Sequence, residues 1–252
     1  MVAMTLKSAN WEAQKLLSRI DSSHFNATAE RLQELESFFW FDLCAEYDAH
    51  HLHQRILNAG QPWTLEFKQF ERLWYRDEIN HFQGFRELYH KLFGESRESI
   101  DERLASRSAD FSAVECFLAD ELALTVLFAY DELATTGAYH NDIALYRELN
   151  HPVLDEFIRR LVRDESYHFQ NAAALIGSIH GRRLHEVPGL IADCVDHDLK
   201  GHGYSGTFIF DHEWDGYDAS YFVNNGRRLA RHLGVDNSLG GRHPQDKLVR
   251  AE

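Results

Sequence analysis

The sequence predicts an all-α protein with a four-helix bundle at its core. Three observations support this fold class. The 252 residues include only four prolines, which leaves long windows free for helices. Apolar residues in those windows recur with the helical period of about 3.6 residues. Finally, one phrase occurs twice: Arg-Asp-Glu-Ile-Asn-His-Phe-Gln at residues 76–83 returns as Arg-Asp-Glu-Ser-Tyr-His-Phe-Gln at residues 163–170.

The first half of the chain is predicted to hold two long helices and two lesser elements. The apolar pattern of residues 5–20 indicates a first helix. A long helix is predicted at about 28–57, because a glycine and a proline follow it. The next starts near Pro62, a favourable first-turn residue, and reaches about residue 93. Residues 95–107 are predicted to form a short helix or a loop.

The second half supplies the other two long helices. One is predicted at about 112–136, and its continuation past Gly137 towards residue 149 stays open. Pro152 begins the other, which extends to about residue 180. Beyond them we expect a helix over 184–199, a loop over 201–216, a last helix over 217–233 and a frayed tail after residue 234.

Composition narrows the class of protein. We expect one domain over residues 1–252, with its helical core at about 28–180 and a helical and loop extension at about 181–252, because no linker divides the chain. The net charge of −14 argues against a nucleic-acid partner, whose phosphates require a basic surface. We expect no signal peptide and no membrane span. The three unpaired cysteines fit a reducing compartment, so a cytoplasmic protein is expected.

The repeated phrase contains the sequence's strongest chemical signal. Each copy includes Glu-x-x-His: Glu78 with His81, and Glu165 with His168. Residues three apart on a helix project to the same side, one turn from each other. Two such pairs that meet inside a bundle supply ligands for a dinuclear metal site.

Each copy is preceded by a carboxylate at a matched distance. Glu46 lies 32 residues before Glu78, and Glu132 lies 33 residues before Glu165. The two halves therefore superimpose almost without a gap. Four such residues at matched separations predict one site with internal pseudo-symmetry.

Other residues compete for this role. Glu121 and Asp42 lie on nearly the same helix faces as the two upstream glutamates, although either would break the matched spacing. His50 and His53 lie one and two turns beyond the first glutamate and could reach the site, which leaves their participation open.

A metal follows from the charge of this set. Burying four carboxylates together without a cation would cost many kcal/mol. Metal ions remove the repulsion, and a mixture of carboxylate and imidazole suits iron or manganese. These residues are therefore either mostly exposed or bound to metal.

The set resembles the ligands of the ferritin-like di-iron carboxylate proteins, which include acyl-carrier-protein desaturases, bacterial multicomponent monooxygenases and the small subunit of ribonucleotide reductase. The resemblance covers about residues 28–180 and is specific for the superfamily rather than for one activity. It implies a ferritin-like four-helix bundle with additional N-terminal and C-terminal helices, and two iron ions, with manganese as the alternative. It further implies that Glu78 and Glu165 bridge or flank the two irons. Glu46 and His81 would then serve one iron, and Glu132 and His168 the other.

The aspartate inside each copy extends the resemblance. In the family, such an aspartate accepts a hydrogen bond from the metal-bound histidine of the opposite motif. This implies that Asp77 pairs with His168 and Asp164 with His81, which would fix the orientation of each imidazole.

Two threonines are similar to residues that the family uses in oxygen activation. Thr135 and Thr136 follow Glu132, as in the desaturases and monooxygenases, and a hydroxyl there can relay protons. The alternative is an ordinary hydrogen bond back to the helix. Phe85 stands where the reductase subunit has its radical tyrosine, which argues against that role.

The resemblance implies a non-haem di-iron oxygenase or oxidase that uses O2 for hydroxylation, desaturation or N-oxygenation. The substrate is expected to be apolar or aromatic, free or carrier-bound, because apolar side chains surround the ligands at helical spacing: Phe39, Leu43, Phe82, Phe85, Phe128 and Phe169. A ferredoxin or reductase would supply electrons, since no flavin, nicotinamide or iron–sulfur motif is evident. A homodimer stays open. The alternative function is a ferroxidase or peroxidase of the ferritin or rubrerythrin kind.

Overall fold

A computed structural model of the chain describes residues 5–21, 25, 27–201, 204–212 and 217–235. These residues contain helices and no β-strand, which confirms the all-α prediction for this part of the chain. The helices in order are α1 (Ala13–Leu17), α2 (Ala29–Asn58), α3 (Leu65–Phe93), α4 (Arg97–Ala105), α5 (Glu115–Leu118), α6 (Glu121–Glu148), α7 (Pro152–Ile179), α8 (Val187–Lys200) and α9 (Ala219–His232).

Capping residues mark the starts of the long helices and the end of α3. The side chains of Thr28, Thr64 and Asp120 accept hydrogen bonds from free N–H groups at the starts of α2, α3 and α6. Gly94 ends α3 in the left-handed conformation, with φ of 72°. These local signals explain why the predicted boundaries of α2, α3 and α7 lie within a few residues of the observed ones.

The long helices pack as two hairpins. α2 packs along α3 and α6 packs along α7, each pair joined by a short connection, so that neighbours are antiparallel. The hairpins meet where α3 contacts α7. On the opposite side, α2 and α6 are linked through two tyrosines of α6: Tyr139 donates to Glu46 and Tyr146 donates to Asp42.

The N-terminal segment differs from the prediction, because only Ala13–Leu17 of residues 5–20 is α-helical. The preceding residues lie against α7 instead. The N–H of Lys7 donates to the side chain of Asn171 over 2.8 Å, and the amide of Asn171 returns a hydrogen bond to the Lys7 carbonyl. Tertiary hydrogen bonds thus replace the helical ones that the apolar pattern predicted.

The third long helix also differs at its start. Residues 115–118 form the separate turn α5, and α6 begins only at Glu121, after its cap Asp120. The helix then continues through Gly137 to Glu148. A Cβ at Gly137 would lie 2.6 Å from the hydroxyl oxygen of Tyr221, so this glycine admits a side chain of α9.

Two apolar clusters fill the molecule. One is built from the N-terminal halves of α2 and α7 and the C-terminal halves of α3 and α6, together with α1 and α4. The other joins the C-terminal half of α2 and the N-terminal halves of α3 and α6 to α8 and α9. The middle turns of the four long helices lie between these clusters, and the polar residues buried there form the site described below.

The C-terminal part adds α8 and α9, which pack on each other and on α6. α8 covers 187–200 rather than the predicted 184–199, after a single 3₁₀ turn at Gly181–Arg183. Residues 204–212 form bends and turns, which confirms the described part of the loop predicted over 201–216; residues 202–203 and 213–216 lie outside the described residues. The tail predicted after residue 234 lies outside the described residues, apart from Val235. Among the described helices, none is long and apolar enough to cross a membrane.

Candidate metal centre

The structure brings all six predicted metal ligands together. Each projects from the middle of one of the four long helices, and none is more than 4 % exposed. α2 contributes one glutamate and α6 another, whereas α3 and α7 each contribute a glutamate and a histidine: Glu46, Glu132, Glu78, His81, Glu165 and His168.

These residues form two overlapping groups, and in each group one ligand atom per residue lies within 4.8 Å of the others. One group contains Glu46 and His81, and the other contains Glu132 and His168. Glu78 and Glu165 belong to both groups. Two carboxylates shared between two ligand sets are the arrangement that a dinuclear centre requires.

The first group is organised around one imidazole nitrogen. Nδ1 of His81 lies 3.1 Å from Oε1 of Glu165, 3.4 Å from Oε2 of Glu78 and 3.5 Å from Oε2 of Glu46. A lone pair on Nδ1 would point at the position where these oxygens converge. The second nitrogen of the ring faces away from these three glutamates.

The second group repeats this geometry. Nδ1 of His168 lies 3.0 Å from Oε1 of Glu78, 3.1 Å from Oε2 of Glu165 and 3.4 Å from Oε2 of Glu132. The two imidazole rings are 5.8 Å apart between centroids. The pseudo-symmetry of the sequence is therefore present in space.

Each histidine has an aspartate of the opposite motif at its other nitrogen. Nε2 of His81 lies 3.5 Å from Oδ2 of Asp164, and Nε2 of His168 lies 3.5 Å from Oδ2 of Asp77. An N–H at Nε2 directed to the aspartate leaves Nδ1 free to bind a metal. The indole N–H of Trp11 donates to Asp164 over 2.5 Å.

Arginines hold these aspartates in place. Arg76 contacts Asp77 through two nitrogens, and Arg163 contacts Asp164 in the same way. The two halves differ in their further partners, because Trp11 donates to Asp164 and Arg76 donates to Ser8. The repeated Arg-Asp-Glu run thus places an arginine, its aspartate and a ligand in succession on each helix.

The pKa values of the cluster show that its buried carboxylates are not neutralised by the positive charges around them. Burial and the carboxylate of Glu78 raise the pKa of Glu46 to about 8, although His81 opposes this. Burial also raises the pKa of Glu132 well above its usual value, against the effect of His168. Burial lowers the pKa of His81, but the surrounding carboxylates, above all Glu165, outweigh it and raise the pKa well above normal.

Several ligand oxygens are buried without a hydrogen-bond partner among the described residues. They comprise Oε2 of Glu46, both oxygens of Glu78, both of Glu132 and Oε1 of Glu165. Leaving so many carboxylate oxygens unpaired would be prohibitive in a core. Together with the donor set, they fit a bound cation, and the two groups could hold metal ions.

The competing residues have other partners. Glu121 accepts hydrogen bonds from the N–H and hydroxyl of Thr64, and Asp42 accepts one from Tyr146. His50 lies 3.0 Å from the hydroxyl of Tyr75, and His53 contacts Glu71. Within the part of the chain that the structure describes, none of the four belongs to either ligand group.

The two candidate catalytic threonines lie in different surroundings. The hydroxyl of Thr136 donates to the carbonyl of Glu132 over 2.6 Å, which is the helix back-bond. Thr135 lines a cavity beside the ligands. Only Thr135 therefore faces a space that a reactant could occupy.

Sequence reasoning missed two residues that contact the centre, Tyr139 and Trp11. Tyr139 is buried on α6 and its hydroxyl donates to Oε1 of Glu46. It lies one turn beyond Thr135, a spacing that could have placed it on the same helix face. Trp11 gave no such signal, because it comes from a segment far from the motifs in sequence.

A cavity of about 210 Å³ lies beside the centre, between α2 and α6, with Phe208 and Tyr217 of the C-terminal region in its wall. Its inner end is formed by Glu46, Glu78 and Glu165. None of the six apolar residues expected around a substrate tunnel lines it; four of them, Phe39, Leu43, Phe85 and Phe128, are buried in the apolar clusters instead.

A second polar cluster lies at the edge of this cavity. Tyr130 donates to Asp198 over 2.6 Å, and Nε2 of His212 lies 3.3 Å from the same carboxylate. Burial raises the pKa of Asp131 to about 7. Burial lowers the pKa of His212, but Asp198 outweighs it and raises that pKa to about 9. This cluster attaches the 204–212 segment to α6 and α8.

Comparisons with models of protein families and with curated proteins found no match. The functional conclusion therefore depends on the residues and geometry given above.

Proposed function

We propose that this protein is a ferritin-like, non-haem di-iron oxygenase or oxidase that uses O2 to oxidise an organic substrate. The observation that carries this proposal is the pair of ligand groups that share Glu78 and Glu165. Each group offers three carboxylates and one imidazole, all buried. Two metal ions held by these six residues would neutralise the buried carboxylates, several of whose oxygens have no hydrogen-bond partner among the described residues.

The donor set favours iron. Carboxylate oxygens with one imidazole per metal suit Fe(II) and Mn(II). Zinc and copper are favoured by ligand sets that are rich in thiolates. No cysteine belongs to either group. Iron would supply the redox chemistry with O2, and manganese is the alternative metal.

The chain's own residues would perform three tasks. Asp164 and Asp77 would hold the imidazoles so that Nδ1 faces the metals. The two apolar clusters would exclude water from both ends of the centre. Thr135, in the cavity wall, would exchange protons with a reactant, whereas the back-bonded Thr136 is less suited to this.

Metal analysis tests the site. Protein produced in iron-rich medium should contain about two irons per chain, and a content near zero would remove the basis of the proposal. Glu165→Ala should lower the iron content strongly, because Glu165 belongs to both groups. Glu102→Ala, at an exposed position of α4, serves as the control and should retain both irons. Circular dichroism should show that both variants remain helical.

A ferroxidase is the second candidate function, and the acidic wall of the cavity favours it. Aspartates in that wall could lead ferrous ions to the centre. The two functions differ in stoichiometry. Oxygen uptake coupled to turnover of an organic compound supports the oxygenase, whereas oxidation of many ferrous ions per chain without such a compound supports the ferroxidase.

A further inference from the structure

We propose that the cavity beside the metal centre binds a small organic cation of the alkylammonium or arylalkylammonium class. Its ammonium group would lie between Asp42 and Asp142, and its apolar body would extend towards the metal ligands. The reaction of this compound depends on the proposed function, whereas its binding depends on the cavity alone. The substrate class is thereby narrower than the apolar or aromatic compound predicted from the sequence.

The two aspartates lie at the same level of the cavity. On α6, Tyr139 contacts Glu46 and Tyr146, seven residues later, contacts Asp42. On α2, however, Asp42 comes four residues before Glu46. α2 and α6 therefore run in opposite directions here. Asp42 and Asp142 each lie about one turn, or about 5 Å, beyond the Glu46–Tyr139 level, away from the metal ligands.

The charge of the wall selects a cation. Four aspartates line the cavity in addition to the three metal-facing glutamates, whereas its described lining contains neither lysine nor arginine, and the imidazole of His212 in it is already paired with Asp131 and Asp198. Metal ions would neutralise the glutamates but not the aspartates. Charges interact strongly in such a partly buried space, so a carboxylate or phosphate would be repelled and an ammonium attracted.

The four aspartates are not equivalent. Asp211 accepts hydrogen bonds from the N–H groups of Ser205 and Thr207, and Asp131 accepts one from the N–H of Phe210. These two carboxylates stabilise the 204–212 segment. Asp42, which accepts a hydrogen bond from Tyr146, and Asp142 belong to the helices that form the two sides of the cavity. The choice of this pair therefore depends on its position on both sides of a ligand.

The rest of the wall fits the body of such a compound. Between the two aspartates and the metal ligands, Ala45 of α2 and Ala138 of α6 leave room for an apolar body, and Phe208 and Tyr217 add aromatic surface from the C-terminal region. Aromatic faces attract an ammonium group and pack against an alkyl or aryl body.

The inner end of this space opens onto the candidate metal centre. Oε2 of Glu46, Oε1 of Glu165 and both oxygens of Glu78 line or adjoin the cavity, are buried and have no hydrogen-bond partner among the described residues. The cavity therefore leads to atoms that a reaction centre would use. Its volume of about 210 Å³ is smaller than the range of about 300–1,000 Å³ typical of drug-sized ligands. A long acyl chain would not fit.

Calorimetric titration of the iron-loaded, reduced protein under anaerobic conditions tests this inference. The probe is 2-phenylethylammonium, and the matched controls are the neutral 2-phenylethanol and the anionic 3-phenylpropionate. We expect the cation to bind at least tenfold more tightly than the alcohol and the anion not to bind. Equal affinity for the cation and the alcohol would overturn the inference.

Variants locate the ammonium group. Asp142→Asn, at a half-buried position, and Asp42→Asn should each weaken binding of 2-phenylethylammonium at least tenfold. Asp193→Asn, at an exposed position of α8, should leave it unchanged. Should Asp42→Asn fail to fold, Asp142→Asn alone decides, and unchanged binding in that variant would refute the assignment.

The outcome separates this inference from the proposed function. A protein that binds two irons and consumes O2 but does not bind the ammonium compound contradicts this inference alone. A protein that binds no metal contradicts the proposed function; the titration is then run on the metal-free protein, where unchanged binding in Asp142→Asn still refutes this inference. Additional ferrous ions bound at Asp42 and Asp142 would identify an inorganic cation as the occupant and also overturn the inference.

Discussion

At the scale of single residues, the centre depends on the orientation of two imidazoles. Each ring directs Nδ1 to three carboxylates and Nε2 to an aspartate, so its position is determined from both sides. Asp164 is itself held by Trp11 and Arg163. Ligand groups held from both sides in this way would offer a bound metal a defined geometry, which favours affinity.

Asp164→Asn tests this orientation. Three donors converge on the Asp164 carboxylate, from His81, Trp11 and Arg163, whereas an amide offers them one oxygen. We expect metal affinity to fall about 10- to 100-fold, measured by competition with a chromophoric chelator. The control Asp193→Asn should match the unmodified protein. Unchanged affinity in Asp164→Asn would show that this aspartate does not position the ligand.

The six ligands could be predicted because their signal is local and repeated. Each Glu-x-x-His motif marks the inward face of one helix, and each matched upstream glutamate marks the inward face of the helix before it. The hydrogen bond from Tyr139 to Glu46 has no local signature, since the two residues lie 93 positions apart on helices that the motif does not orient.

At the scale of elements, close packing around Gly84 positions α1 against the bundle. A Cβ at Gly84, on α3, would lie 2.7 Å from the Cβ of Ala13 on α1 and 2.7 Å from a ring carbon of Phe157 on α7. The N–H of Ala13 also donates to the side chain of Asn80 on α3. Three helices therefore meet at a point where only glycine fits.

Two glycine substitutions separate packing from helix propensity. Gly84→Ala should lower the free energy of unfolding by about 1–3 kcal/mol, because the clash outweighs the gain in propensity. Gly177→Ala, on α7, should raise it by about 0.5–1 kcal/mol, since no atom lies within 4 Å of the added Cβ. Urea denaturation measures both. Stabilisation by Gly84→Ala would show that α1 can move away from α3.

Element boundaries followed from capping residues wherever the caps were local. Gly94 and Pro152 each mark a helix end that the sequence predicted. The start of α6 was predicted too early because Asp120, its cap, follows apolar residues that continue the helical pattern. A periodic pattern reports which face is buried, and it does not report where the hydrogen-bonded ladder is interrupted.

At the scale of the whole molecule, Asp48 connects the bundle to the C-terminal region. This carboxylate of α2 is fully buried and accepts hydrogen bonds from Arg107 and from the hydroxyl of Tyr204. His51 lies 3.3 Å from it. Burial raises the pKa of Asp48, but its hydrogen bonds from His51, Arg107 and Tyr204 outweigh this, so the pKa lies below its usual value.

Asp48→Asn tests this connection and its pH dependence. Removing one partner of a buried ion pair should lower the free energy of unfolding by about 3 kcal/mol at pH 7. Because the folded-state pKa is lowered, the carboxylate's contribution is present above the unfolded pKa of about 4 and is lost as pH falls through the folded pKa. The deficit of the variant should therefore shrink below about pH 4.

Urea denaturation across pH measures this deficit, with Glu102→Gln on the exposed face of α4 as the control. A deficit that stays constant between pH 7 and pH 3 would contradict the role assigned to the charge. An equal deficit in the control would attribute the effect to net charge rather than to this connection.

By itself, the sequence determined the helical class, the four long helices and the six residues that cluster between them, because periodicity, caps and a repeated motif are properties of nearby residues. The tertiary structure decided where the N-terminal segment lies, where the cavity opens and which aspartates line it. Lys7 meets Asn171 across 164 positions, and the cavity wall combines α2, α6 and the C-terminal region. Such contacts depend on how helices remote in sequence are arranged, and no local pattern encodes that arrangement.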